Sequence, residues 1–204
     1  MKLYVKNLIS PNCKIAAKTE IEKMGLHCIS AESGELEIQE EISEEQYYQI
    51  KKAFRKFGFE LLKDKKSLVV EKIKKVILDS VHYPNEQIKV KFSDHLSNKI
   101  NCSYRSLAKK FLEVQGTTIE KYLIECKIEK VKKMLLRDEL SLTEIAYQLN
   151  YSSVAHLSNQ FKKVAGKTPS CFKETAAWKR AENENPDNSA FAAHGEDYFL
   201  AEAV

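Results

Sequence analysis

The feature that most constrains this chain is a pattern of caps, apolar spacing and turn residues over positions 141–172. Ser141 and Glu144 have the spacing of a capping box at the start of a helix. Asn150 follows where a sharp turn needs a left-handed backbone, which asparagine tolerates. A second predicted helix ends at Gly166, and its apolar face is Leu157, Phe161 and Val164. A short helix, a tight turn and a second helix form the helix-turn-helix pattern.

The same pattern occurs a second time, about 50 residues earlier in the chain. Residues 107–118 match positions 50 further on, and residues 96–101 match at an offset of 49. The one-residue difference falls in the turn, where a change of length costs least. Residues 93–110 are therefore predicted to form a second helix-turn-helix, whose second helix spans 103–114. A long helix is predicted between the motifs, over 119–136.

The charge of the chain is distributed unevenly along its 204 residues. Residues 1–64 carry a net charge of −1, and residues 65–84 carry +3. Residues 85–180 hold 18 basic and 10 acidic side chains, a net charge of +8, whereas 181–204 carry −6. The positive charge lies on the segment with the two motifs, as expected for a module that binds phosphates. This charge and the repeat disfavour the alternative, a helical hairpin without a nucleic-acid partner.

Composition limits the remaining classes of function. No apolar run approaches the length of a membrane span and the N-terminus lacks the apolar core of a signal peptide, so a cytoplasmic protein is expected. Five cysteines without paired spacing favour reduced thiols over a disulfide framework. The sequence has no P-loop, glycine-rich dinucleotide turn or G-x-S-x-G motif, and we therefore expect no enzyme activity.

The first 64 residues predict the order strand, helix, strand, strand, helix, strand, which is the ferredoxin-like arrangement. The predicted strands are 2–7, 26–32, 35–41 and 59–62, and the predicted helices are 13–24 and 44–57. The first helix has a predicted apolar face of Ile15, Ala16, Ile21 and Met24.

A helical connector, residues 65–81 within a 65–84 linker, is predicted between this domain and the basic segment. Its apolar stripe makes it a candidate dimerisation helix. The acidic segment 181–204 has a composition typical of disorder. The apolar positions of the connector are Leu68, Val69, Ile73, Val76, Ile77 and Val81.

The second motif, with its runs SSVAHLSNQFKK and AGKTPSCFK, resembles the C-terminal DNA-binding signature of AraC/XylS-type regulators. Asn150 stands where that family usually has glycine, and Lys127 where it often has arginine. The resemblance implies an all-α domain of two helix-turn-helix motifs joined by a long helix, with double-stranded DNA as partner. The implied DNA-binding residues are Tyr104, Arg105, Ala108 and Lys109 in the first copy, and Ser153, Val154, Ala155, Ser158 and Asn159 in the second.

The size and element order of residues 1–64 resemble a heavy-metal-associated domain. That family has Cys-x-x-Cys in the loop before the first helix, where two thiolates hold a soft ion such as Cu(I). Here the run is Ser10-Pro11-Asn12-Cys13, so only Cys13 matches. Two interpretations stay open for Cys13: a thiol that binds a soft metal weakly or jointly with a second chain, or a residue without a ligand. Cys28, in a predicted strand, is expected in the core.

Together these patterns predict a DNA-binding transcription regulator, with a heavy-metal response as the signal that the first domain suggests. One alternative is a soft-metal carrier whose basic domain only docks on a partner protein, although the chain lacks the thiol pair that a carrier needs. Another is a regulator whose first domain serves only for protein interaction or homodimerisation.

Overall fold

The computed structural model describes residues 1–83 and 91–175, and these residues form two compact units. The first unit contains residues 1–80 and 91–121, and the second contains 81–83 and 122–175. The predicted disordered tail lies outside the described residues. Each unit is presented by itself.

The first unit begins with a four-stranded sheet and two helices, and the predicted order of these elements is confirmed. The strand order is β2-β3-β1-β4, and each neighbouring pair is antiparallel. Leu3 lies opposite Leu36 and Val5 opposite Leu61, so alternate residues face one core. The elements are β1 (Lys2–Lys6), α1 (Pro11–Lys23), β2 (Cys28–Glu32), β3 (Glu35–Ile38), α2 (Glu44–Lys56) and β4 (Glu60–Leu62).

Helix α1 differs from its prediction in both its start and its buried face. It begins at Pro11 instead of residue 13, because the Ser10 hydroxyl accepts a hydrogen bond from the Cys13 backbone N–H at 3.2 Å and caps the first turn. Ile15 is 64% exposed, whereas Ala17 and Ile21 are buried. Residues two apart on a helix point in nearly opposite directions, so Ile15 and Ala17 cannot both face the sheet.

Helix α3 (Lys65–His82) follows the sheet and is held to it within the first unit by two ion pairs. Lys6 Nζ lies 2.7 Å from a Glu71 carboxylate oxygen, and Lys65 Nζ lies 3.4 Å from one of Glu35. The predicted apolar stripe is mostly confirmed, but Val70 is buried while Val69 and Val76 are only half-buried. The buried side chains of α3 are Leu68, Val70, Ile73, Ile77 and Val81.

The first helix-turn-helix completes this unit, with α4 (Phe92–Ile100) and α5 (Tyr104–Gln115). Asn101 ends α4 in the left-handed conformation at φ 55°, as the turn requires. Leu107 and Phe111 are fully buried, so the predicted inward side of α5 is confirmed.

The second unit contains most of α6 (Ile119–Arg137), then α7 (Leu142–Gln148) and α8 (Val154–Ala165). The predicted Ser141–Glu144 capping box is present, and Asn150 has a φ of 55°. A helical segment over 169–175 follows α8. The buried core is Ile128, Val131, Leu135, Ile145, Ala146, Leu149, Leu157 and Phe161.

One predicted core residue of α8 is exposed. Val164 is 40% exposed, and Val114, at the same position of α5, is 37% exposed. Each valine lies two residues before the glycine that ends its helix. In α8 the neighbouring Ala165 packs against the core instead. In the last turn of each helix, the direction of the backbone therefore decides which side chain the core covers. Apolar spacing alone did not predict that Val164 is exposed.

Among residues 1–83 and 91–175, no helix has the length and apolar character needed to cross a membrane.

Candidate nucleic-acid interface

Helix α5 presents a cationic surface on the side opposite its buried residues. Arg105 and Lys109 are exposed and Ala108 is half-buried. These three positions share one face because residues three and four apart are neighbours on a helix. Neither cation forms an ion pair with a carboxylate of the described residues. Both side chains can therefore reach a phosphate or a base edge, although Lys109 also acts on the charge of Glu113, four residues further along α5.

Tyr104, also predicted to contact DNA, is already engaged within the protein. Its hydroxyl donates a hydrogen bond to the Glu120 carboxylate at the start of α6. Burial is the largest cause that raises the pKa of the Tyr104 phenol, and the neighbouring Glu120 carboxylate adds to it. The phenol therefore stays protonated, and its one proton is directed at Glu120. This contact ties α5 to the following helix within the first unit.

Helix α8 presents an uncharged surface over its first two turns. Ala155 and Asn159 are exposed, and Ser158 is half-buried. Ser153 is the N-cap, because its hydroxyl accepts a hydrogen bond from the His156 backbone N–H at 3.0 Å. Val154 is half-buried and packs against the core of the second unit. Two of the five residues predicted to contact DNA here therefore have structural tasks.

A further residue in the second unit supports the turn. Lys127 of α6 is half-buried, and its ammonium group donates a hydrogen bond to the Leu149 carbonyl at 2.8 Å. The same ammonium lies 5.0 Å from the centre of the Tyr151 ring, a cation–π contact. Burial lowers the pKa of Lys127. A cation therefore neutralises the carbonyl end of α7 at the point where the chain turns.

The aromatic ring beneath this cation reaches the start of α8. Tyr151 packs edge-on against the His156 ring at 5.3 Å, and the Ser152 hydroxyl lies 3.0 Å from His156 Nδ1. Burial also raises the pKa of Tyr151 to about 12. One feature of the sequence could have indicated this network: Lys127 directly precedes the buried Ile128 on the apolar side of α6. Its partners, more than 20 positions along the chain, had no such signal.

Cys13 is half-buried at the start of α1. A hydrogen bond with the Ser10 side chain is the largest cause that lowers the pKa of its thiol. The Ser10 hydroxyl, however, is occupied in capping α1. Among the described residues, no group of three or more His, Cys, Asp or Glu side chains is placed to hold a metal. The loop before α1 offers one thiol, that of Cys13, and one hydroxyl, that of Ser10. Cys28 is buried, as expected of a core residue.

Comparison with known proteins bears on the region of the two motifs. The model of a helix-turn-helix domain family matches residues 96–175. The probable transcription factor PqrA of Proteus vulgaris is 31% identical over 90 residues, which cover 44% of this chain and 71% of that protein. The chain belongs to the AraC-type helix-turn-helix family.

Other proteins are also similar to this AraC-type chain. An uncharacterized HTH-type transcriptional regulator from the cgkA 5′ region of Pseudoalteromonas carrageenovora is 34% identical over 82 residues, 40% of this chain and 48% of that protein. The chain thus spans about half the length of this curated relative. The solved C-terminal domain of AraT, a response regulator from Geobacillus stearothermophilus, is 22% identical with a TM-score of 0.47, over 55% of this chain and 88% of that one.

Proposed function

We propose that this protein is a transcription regulator that binds specific sequences of double-stranded DNA through the N-terminal halves of α5 and α8. The observation that carries the proposal is the repeated construction of these two helices. Each follows an asparagine in the left-handed conformation, and each is anchored by a buried leucine and a buried phenylalanine four residues later. The descriptions of the relatives as transcription factors and regulators support it.

Helix α5 supplies the charged contacts in this proposal. A guanidinium can hold guanine through two hydrogen bonds, and Arg105 has no carboxylate to compete for it among the described residues. Lys109 reaches a base or a phosphate from the same face, and Ala108 can touch a thymine methyl group.

Helix α8 supplies uncharged contacts. Asn159 can read adenine through its amide, and Ala155 can make a methyl contact to thymine. Ser153, Val154 and Tyr104 already make contacts within the protein, and we propose that these three residues mainly position the helices.

For the N-terminal region we infer a ferredoxin-like domain that serves sensing or homodimerisation. The element order and the antiparallel strand order β2-β3-β1-β4 support the fold. A heavy-metal signal would need a second thiol, which Ser10→Cys supplies. That variant should bind Cu(I) far more tightly than the wild type in a competition titration with a chromophoric chelator. Equal affinity of the two proteins would contradict this account of the loop.

A gel-shift titration with the full chain and a pool of random duplex DNA tests the main proposal. Binding should weaken as salt rises, because phosphate contacts release counterions. If Arg105 holds guanine, Arg105→Ala should cost about 1–3 kcal/mol at one base pair and relax specificity there. The matched control is Arg55→Ala, an exposed arginine of α2. Absence of binding, or the same selected sequences for Arg105→Ala and Arg55→Ala, would contradict the proposal.

A further inference from the structure

The first unit contains a cavity that the proposed DNA-binding surface does not use. It lies between the end of β1, the turn between β2 and β3, and α3, and has a volume of about 220 Å³. We propose that this cavity binds a small molecule with a short apolar body and one anionic group. The proposal goes beyond DNA binding and does not depend on it. The lining residues that the argument uses are Val5, Leu8, Ile9, Ser33, Leu68 and Lys72.

The interior walls of the cavity are apolar. Val5 and Leu8 are fully buried and Leu68 is 5% exposed, so these side chains are fixed in the packed structure. Ile9, at the rim, is 55% exposed. An apolar ligand would cover this isoleucine, and removing apolar surface from water is favourable by about 25 cal/mol per Å². The walls therefore favour a hydrocarbon body over a polar one.

Two backbone hydrogen bonds close the wall of the cavity between β1 and the β2–β3 turn. The Gly34 N–H donates to the Leu8 carbonyl at 3.1 Å, and the Val5 N–H donates to the Gly34 carbonyl at 2.8 Å. A Cβ atom at Gly34, where φ is 92°, would lie 2.5 Å from Leu68 Cδ1, so the glycine allows α3 to close this wall. Because these groups already have partners, an apolar body can enter without leaving a backbone group unpaired.

The charge at the rim favours an anion. Its single carboxylate, Glu71, is paired with Lys6 at 2.7 Å and with Lys74 at 3.1 Å. Lys72 and Lys75, one and four residues further along α3, form no ion pair with a described carboxylate. Two cations are therefore free beside an acid that is already neutralised. The exposed Ser33 hydroxyl adds a hydrogen-bond donor at the same rim.

The size of the cavity limits the ligand. A volume of about 220 Å³ lies below the range of about 300–1,000 Å³ for drug-sized ligands, so the ligand is small. A short hydrocarbon chain can enter this space and leave its terminal carboxylate at the lysines. Hexanoate is therefore a suitable probe, with 1-hexanol and hexylammonium as neutral and cationic probes that share its hydrocarbon body.

The test uses the ¹⁵N-labelled full chain and follows the amide signals of Gly34 and Leu68 during titration with each probe. We expect hexanoate to bind about tenfold more tightly than 1-hexanol, and hexylammonium to bind most weakly. The double variant Lys72→Glu/Lys75→Glu should reverse this order. Lys51→Glu/Lys52→Glu makes the same charge change at exposed positions of α2 and should keep it.

A second variant tests the apolar part of the site. Ile9→Trp replaces the isoleucine at the rim with a bulky indole ring, which should block the cavity and abolish the shifts at Gly34 for all three probes. Circular dichroism verifies that this variant is folded. Equal affinity for the three probes, or an unchanged order in Lys72→Glu/Lys75→Glu, would overturn the proposal. Because these titrations contain no DNA, their failure is distinguishable from a failure of the proposed DNA binding.

Discussion

The two helix-turn-helix motifs have the same backbone plan but different means of support. Helices α5 and α8 both contain 12 residues, and both end at a glycine in the left-handed conformation. In α8 the Ser153 hydroxyl caps the first turn, whereas Ser103, at the same place before α5, makes no side-chain capping bond. Tyr104, which has no counterpart hydroxyl in α8, instead fixes α5 by its bond to Glu120.

The exposed surfaces of the two helices also differ, in their charge. The first half of α5 carries Arg105 and Lys109, while the first half of α8 carries no lysine or arginine. The turn of the second motif is instead supported by a partly buried lysine, Lys127 of α6, whose ammonium group donates a hydrogen bond to the Leu149 carbonyl. One backbone plan can therefore serve strong electrostatic contact in one copy and uncharged contact in the other, because the anchoring residues and the surface residues lie on opposite sides of each helix.

The largest expected effect compares the two buried phenylalanines. Phe111→Ala and Phe161→Ala should each destabilise their own motif by about 3–5 kcal/mol, since each removes a fully buried ring. Native-state hydrogen exchange measures the two motifs separately. We expect Phe111→Ala to lower protection in α4 and α5, and Phe161→Ala in α7 and α8. Equal loss in both motifs from either change would show that they unfold together.

The support from Lys127 is specific to the second motif. Lys127→Met keeps the apolar stem but leaves the Leu149 carbonyl without its donor, which should cost about 1–3 kcal/mol in the second unit. Lys127→Arg retains a donor and should recover most of this loss. Urea denaturation followed by circular dichroism provides the measurement. A Lys127→Met variant as stable as the wild type would show that the contact contributes nothing.

Ser103 and Ser153 stand at the same position before α5 and α8, but their substitution should have unequal effects on stability. Ser153→Ala should cost about 1 kcal/mol, because it removes the acceptor for the His156 N–H. Ser103→Ala should change stability by less than about 0.5 kcal/mol, since Ser103 has no such bond. Thermal unfolding of both variants tests this difference. Equal losses of stability in the two variants would contradict this difference between the two N-caps.

The smallest expected effect concerns salt. Lys109→Ala should reduce the dependence of DNA affinity on salt by about one phosphate contact. Asn159→Ala, on the uncharged surface of α8, should leave the salt dependence unchanged and weaken binding only to particular sequences. Binding titrations at several salt concentrations separate these outcomes. If Asn159→Ala alters the salt dependence as strongly as Lys109→Ala, the charge difference between the two surfaces has no functional meaning.

The local features of the chain were predictable because each rests on residues close together in sequence. The capping box joins Ser141 to Glu144, and Asn150 by itself supplies the left-handed conformation in the turn. The buried pair Leu107 and Phe111 followed from helical spacing. Prediction failed where several apolar residues competed for one face, as with Ile15 and Ala17 in α1, since spacing does not say which side meets the sheet.

By itself the sequence determined the helices, the turns and the basic segment, because caps, apolar period and charge act over a few residues. Only the tertiary structure decided which candidate side chains are free. Tyr104 binds Glu120, 16 residues away, and Lys127 binds a carbonyl 22 residues away. These contacts depend on how the helices pack, so the sequence does not indicate that Tyr104, a predicted DNA contact, also has a partner within the fold.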